Sequence, residues 1–180
     1  MFKVTDYLVQ YQAEDSNRAQ LRPLDTRGGA HVAHSLHLMP RAMAKLLVGR
    51  ATGQLAGLHI NMAERASAAR KGLLVVFGRL IGARVLIHLH AAQMHHVYRA
   101  LPSPGKWVLR WVFSLAHEVL VLGEVSRKFV IQELGCDPGR VHMVTNGVPA
   151  ATVPRRIDTD GHQFKILFLG NLLERKGVTD

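Results

Sequence analysis

The sequence predicts an α/β protein built on a parallel sheet flanked by helices, of Rossmann-like type. Three observations carry that prediction. Short apolar runs alternate strictly with longer segments of helical periodicity, the pattern of right-handed β-α-β crossovers. Polar, charged and glycine residues gather just after the apolar runs, as they do where an open α/β sheet builds a ligand cleft beyond the carboxyl ends of its strands. The chain of 180 residues, 48% of them hydrophobic, has room for one domain with a real core plus a fragment of a second.

Taken in order, Phe2 to Gln12 carries Val4, Tyr7, Leu8 and Tyr11 at helical spacing. Arg18 to Leu24 reads as a strand weakened by Pro23, and Asp25 to Gly29 as a loop. His31 to Arg50 is a helix with Leu36, Met39, Met43, Leu46 and Leu47 on one face, kinked or restarted at Pro40. A strand over Leu58 to Met62 leads to a helix over Arg65 to Ile81, and a β-branched strand over Arg84 to His90 follows. Pro104 to Ala116 is a helix with its proline in the first turn. Glu118 to Leu122 is a strand, Ser126 to Leu134 a helix closed by Gly135, and Arg140 to Thr145 a strand ending in the Asn146-Gly147 turn. Ala150 to Gln163 has no periodicity and the composition of a linker. Phe164 to Asp180 then gives a strand (Lys165 to Leu169), a glycine turn and a basic loop where a helix should begin.

The organisation expected is therefore a first domain over 1–149, a linker over 150–163 and the opening of a second Rossmann-like domain over 164–180. A doubly wound domain ordinarily opens with a strand and a Gly-rich turn. This chain opens inside what reads as the first helix, so it is expected to be truncated at both ends.

Net charge is +10, with a pI near 10.5. That favours an anionic partner: nucleic acid, an anionic membrane or a phosphorylated small molecule. No nucleic-acid signature accompanies the charge, and no specific nucleic-acid partner is expected. The single cysteine, Cys136, suits a reducing compartment, and the apolar run Leu73 to Ala92 is broken by Arg79, Arg84, His88 and His90, so it makes a poor membrane span. The histidines are not coupled to a carboxylate or cysteine set in a known ligand spacing, so no metal is expected.

Asn146-Gly147-Val148, a linker, a strand ending Leu169-Gly170 and the loop Glu174-Arg175-Lys176-Gly177 stand in a recognisable order. The order resembles the domain junction of family 4 (group 1) glycosyltransferases. Upstream, Asp25-Thr26-Arg27-Gly28, His59-Ile60-Asn61, Ser67 to Lys71 and His88-Leu89-His90-Ala91 resemble an exopolysaccharide-type branch of that family, and Val119 to Glu124 resembles its VVLSE segment with Gly123 in place of serine. The resemblance implies a two-Rossmann GT-B fold and retaining transfer of a sugar from a nucleotide-sugar donor to a lipid-linked or polysaccharide acceptor. It implies exopolysaccharide or cell-envelope synthesis at the cytoplasmic membrane face, with no metal or other cofactor.

By the same resemblance His90 is the catalytic histidine lining the reaction centre, and Lys176, with Gly170 and Asn171, is the donor diphosphate site. Asn171 stands where the family carries arginine, one charge fewer. Arg27, Gly28, Asn61, Ser67, Arg70 and Lys71 are acceptor-side candidates; Ser67, Arg70 and Lys71 near a helix start read equally well as a phosphate cradle or as a solvated basic face. Glu124, Asn146 and Gly147 are placed at the interdomain cleft or hinge, the last two as a turn rather than a ligand. Trp107 and Trp111, flanked by Lys106 and Arg110, are expected in the core of a helix that covers the sheet; the alternative is an interfacial helix touching an anionic membrane. The isolated chain is expected to be inactive, and the competing function is a non-catalytic Rossmann-like anion-binding module.

Overall fold

The computed structural model describes residues 9–10, 12, 20–26, 34–91 and 93–145. All belong to the first of the two units into which the chain divides, Met1–Val148 and Pro149–Asp180. The readings of 146–180, and of Arg27 and Gly28, lie outside the described residues.

Four strands, β1 (Gly57–Met62), β2 (Arg84–Leu89), β3 (Glu118–Val121) and β4 (Val141–Met143), form one sheet in the order β1-β2-β3-β4, every pair parallel. Helix α1 (His34–Ala51) precedes β1, α2 (Ala66–Leu80) connects β1 to β2, and α3 (Met94–Ala100) with α4 (Ser103–Ser114) connects β2 to β3. The link from β3 to β4 is α5 (Glu124–Lys128), running into a π-helical turn over Phe129–Glu133 and then a 3-10 turn over Pro138–Arg140. This is a Rossmann-like α/β fold.

Register divides the sheet into two unlike faces. Leu58 is level with Val85, and Ile60, Ile87 and Val119 form a row, as do Met62, Leu89 and Val121. Over β1 and β2 this face meets α2: a Cβ on Gly78 would meet Leu58 Cδ1 and Val85 Cγ2, so this glycine lets helix and sheet approach closely. Ile87 and Val121 are completely buried, and Phe113, Val130 and Leu134 complete the same core. The opposite face carries His59, Asn61, His88, Glu118 and His142, because alternate residues of a strand point to opposite sides.

At the amino ends of the strands, basic side chains tie loops together. Arg50 Nε donates to the Ile81 carbonyl at 3.0 Å, and Arg140 Nη1 to the Ala116 carbonyl at 3.2 Å. The His117 backbone N–H donates to the Val85 carbonyl at 2.8 Å while its Nδ1 accepts from the Val85 N–H at 2.9 Å.

Several sequence expectations need correction. No strand forms over the described part of Arg18 to Leu24. Pro23 has no N–H to offer a ladder, and the Leu21 N–H donates instead to the Gln12 side-chain oxygen at 2.6 Å. Helix α1 is continuous through Pro40 rather than restarted there. Leu47 lies outward, 52% exposed; the inner stripe is Met39, Ala42, Met43 and Leu46. The last strand stops at Met143 rather than Thr145. Trp107 and Trp111 are not in the core: they are 65% and 41% exposed. Leu109, Val112 and Phe113 already fill the sheet-facing side of α4, at i, i+3 and i+4, and leave both indoles on the far side.

Candidate functional site

Parallel strands bring their carboxyl ends to one edge, and the loops leaving β1 and β2 meet there. The His90 N–H, just past β2, donates to the Met62 carbonyl at the end of β1 at 2.8 Å. Glu64 in the β1–α2 loop accepts from the Gln93 backbone N–H at 3.0 Å, which joins that loop to the start of α3. Lys71, one and a half turns into α2, donates its Nζ to the Asn61 carbonyl. The stretch from Asn61 to Lys71 and the segment from His90 to Gln93, about 30 residues further on, thus converge on one spot.

Histidines dominate that spot. Asn61 and His88 are register partners, and His59 sits two residues before Asn61 on the same face. His59 Nε2 and His88 Nδ1 lie 3.2 Å apart, so one donates and the other accepts. The His88 and His90 rings lean together, 3.9 Å apart centre to centre, closer than the roughly 6.6 Å that separates residues two apart along a strand.

His88 is 4% exposed, and its Nε2, like the Nε2 of His90 and the Nε of Arg70, is buried without a hydrogen-bond partner among the described residues. Unsatisfied buried polar atoms are costly, and the two on the adjoining His88 and His90 rings mark a place where a ligand or water completes the hydrogen bonding.

Burial, reinforced by His90 and His59, pushes the His88 pKa down to about 4. Burial also lowers His59 and His90, the latter further disfavoured as a cation by His59 and Lys71. At neutral pH the three rings are neutral, each able to donate from one nitrogen and accept at the other. Lys71 is brought down to about 8 by burial and by its neighbour Arg70, and still carries its charge at pH 7. The site therefore offers neutral donor–acceptor groups beside a desolvated cation. It can hold a hydroxylated or anionic group and orient its hydroxyls.

Of the sequence candidates, the structure brings together His90, Asn61 and Lys71, with Arg70 the neighbour of Lys71 on α2. Ser67 is half-buried in the first turn of α2, where its N–H donates to the Glu64 carbonyl at 3.2 Å. Glu124 opens α5 after β3, exposed and paired with Arg127 at 3.9 Å. Arg27, Gly28, Asn146, Gly147, Gly170, Asn171 and Lys176 lie outside the described residues. His59 stood in one of the motifs that carry the resemblance, but neither it nor Glu64 nor Gln93 was given a role at the site by sequence. The alternation His59/Asn61 and His88/His90 was a usable signal, but only strand pairing makes it one cluster.

A hollow of about 390 Å³ lies beside the same edge, lined by Arg65, Gln93, His96, Val97, Ala100 and Leu101. The histidine cluster does not line it, so the hollow and the polar cluster are neighbouring features that share the loops around Arg65 and Gln93. Arg65 itself has φ 54°, a left-handed backbone at the entry to α2. No group of histidines, cysteines or carboxylates with metal-holding geometry occurs among the described residues.

Fold and site together define a Rossmann-like α/β domain with a polar, partly desolvated carboxyl edge. No protein-family model matches the chain, and no curated protein or solved structure matches it either.

Proposed function

We propose that this chain forms the acceptor-side part of a retaining, GT-B-type glycosyltransferase of family 4 (group 1), which moves a sugar from a nucleotide-sugar to a lipid-linked or polysaccharide acceptor. The observation that carries the reading is the buried, unpartnered Nε2 of His90 at the carboxyl end of β2, with Lys71 close enough to disfavour its protonation. A neutral imidazole there can donate to a sugar hydroxyl or stabilise charge as the leaving group departs. Lys71 and Arg70 would hold an acidic group of the acceptor. The motif resemblance adds Lys176, Gly170 and Asn171 as the diphosphate contacts, with no metal. On this reading the reaction belongs to exopolysaccharide assembly in the cytoplasm, at the inner membrane face.

Ring-nitrogen NMR of the histidines tests it. Saccharide acceptors of the exopolysaccharide type should move the His90 and His88 ring signals in the wild-type chain. Lys71→Met should weaken that response, and His90→Ala should abolish the remaining His88 response. Response to pyrophosphate or nucleoside diphosphate alone, with none to any saccharide, would favour the non-catalytic anion-binding module. No response to either class would remove both readings.

A further inference from the structure

The outer surface of the helical layer is unusual in both its apolar exposure and its charge. Helix α1 packs against α2, and α2 against α4, so these three lie side by side. Each turns large apolar side chains outward. Leu47 and Val48 on α1 are 52% and 61% exposed, Leu73 and Leu80 on α2 are 59% and 78% exposed, and Trp107 and Trp111 on α4 are 65% and 41% exposed. The two indoles stack with their planes 2° apart. Singly, exposed apolar residues need no explanation; on three adjacent helices they do.

Charge on these helices is of one sign. The only acidic residue between Thr26 and His117 is Glu64, which lies in a loop, and none of α1, α2, α3 or α4 contains an aspartate or glutamate. The same helices carry Arg41, Lys45, Arg79, Lys106 and Arg110 among their cations. Lys106 and Arg110 rest over the Tyr98 ring, at 5.9 and 5.8 Å from its centre, and so hold positive charge along one border of the tryptophan pair.

We propose that this outer helical surface, centred on Trp107 and Trp111, docks on an anionic lipid bilayer. Indoles favour the headgroup boundary, leucines favour the acyl region below it, and the cations of these helices are drawn to anionic headgroups; the carboxylate near Lys106 and Arg110, that of Glu133, is already paired with Arg99 at 2.7 Å. A second copy of this chain would set like charge against like, at +10 each. A nucleic acid would satisfy the cations but offer the exposed leucines and valines no apolar phase. Among the described residues no helix is long and apolar enough to cross a membrane, so the contact is one of lying on the surface. The inference rests on exposure and charge alone and does not depend on the transfer reaction proposed above.

The chain contains two tryptophans, both on this surface, so its intrinsic fluorescence reports the contact directly. The 180-residue chain should co-sediment with vesicles containing phosphatidylglycerol, shift its emission to the blue, and resist acrylamide quenching while bound. Pure phosphatidylcholine vesicles should bind it at least about tenfold less, and binding to anionic vesicles should weaken as salt shortens the Debye length from about 10 Å at 0.1 M to about 3 Å at 1 M. Trp107→Ser/Trp111→Ser, at exposed positions and with unchanged circular dichroism, should lose about tenfold in partitioning, and Leu73→Ser/Leu80→Ser should lower it with the tryptophan reporter intact.

Co-sedimentation without any change in emission would overturn the proposal, because another surface would then be the contact. So would equal binding to neutral vesicles. Blue-shifted emission produced by single-stranded oligonucleotides but not by vesicles would identify a nucleic-acid surface instead. A concentration-dependent blue shift without lipid, matched by dimers in sedimentation velocity, would assign the surface to self-association.

Discussion

The neutral histidine cluster makes acid the sharpest probe of this structure. His88 titrates in the native fold near 4 instead of 6.5, because burial, then His90 and His59, disfavour its charged form. A group whose native pKa is depressed contributes stability that is fully present above its unfolded pKa and is lost as pH falls toward its native one. The window is thus from 6.5 down to 4. Integrated from pH 7, the loss from His88 is about 2 kcal/mol at pH 5 and about 3 kcal/mol at pH 4. That is a large share of the stability of a domain this size, about 5 to 15 kcal/mol. The measurement is urea unfolding at a series of pH values, on the wild type and on His88→Gln, which keeps a polar side chain beside His59 but cannot titrate. Carboxylates titrate alike in both proteins and cancel. The wild type should lose about 2 kcal/mol more than the variant between pH 7 and pH 5. Parallel stability curves for the two proteins would refute the claim that His88 is held neutral by its surroundings.

Three other outcomes follow from the packing. Gly78→Ala should destabilise by about 1 kcal/mol net, because crowding against Leu58 and Val85 outweighs the gain in helix propensity; a raised urea midpoint would contradict the close helix–sheet approach. Arg65→Gly should stabilise by about 1 kcal/mol, since the residue sits at φ 54° and ψ −126°, where glycine alone is at ease, and the thermal midpoint should rise by a few degrees. Cys136 is 7% exposed, with its thiol pushed up to about 11 by burial. It should react with Ellman's reagent at pH 8 only as the chain unfolds, with label incorporation following the urea curve.

Much of the fold is legible in the sequence, where the signal is local. The expected strand over Arg84 to His90 is the observed Arg84–Leu89, because a β-branched apolar run bounded by a glycine turn and a polar edge admits little else. Helix α2 matches its expected span to within a residue at each end, carried by Leu74, Val75 and Gly78 on one face. Helix α3 gives no such signal: over seven residues only Met94 and Tyr98 are buried, too few for a periodicity to stand out. The tryptophans misled for a related reason. Their i, i+4 spacing identifies one face of α4, but spacing alone does not say which face meets the sheet.

The candidate site divides in the same way. His90 at a strand end, and Ser67, Arg70 and Lys71 at a helix start, are readable because strand and helix termini are local features. His59 and His88 are 29 residues apart, and nothing in either segment names the other. Parallel register places them 3.2 Å apart, and burial then decides that the rings are neutral. By itself the sequence determined the alternation of elements, the parallel sheet and the positive charge, since these follow from local periodicity and composition. Tertiary structure alone decided which histidines share a cluster, which of their nitrogens go unpartnered, and that the indoles face outward. Those depend on pairings and coverings between distant segments, which no local pattern encodes.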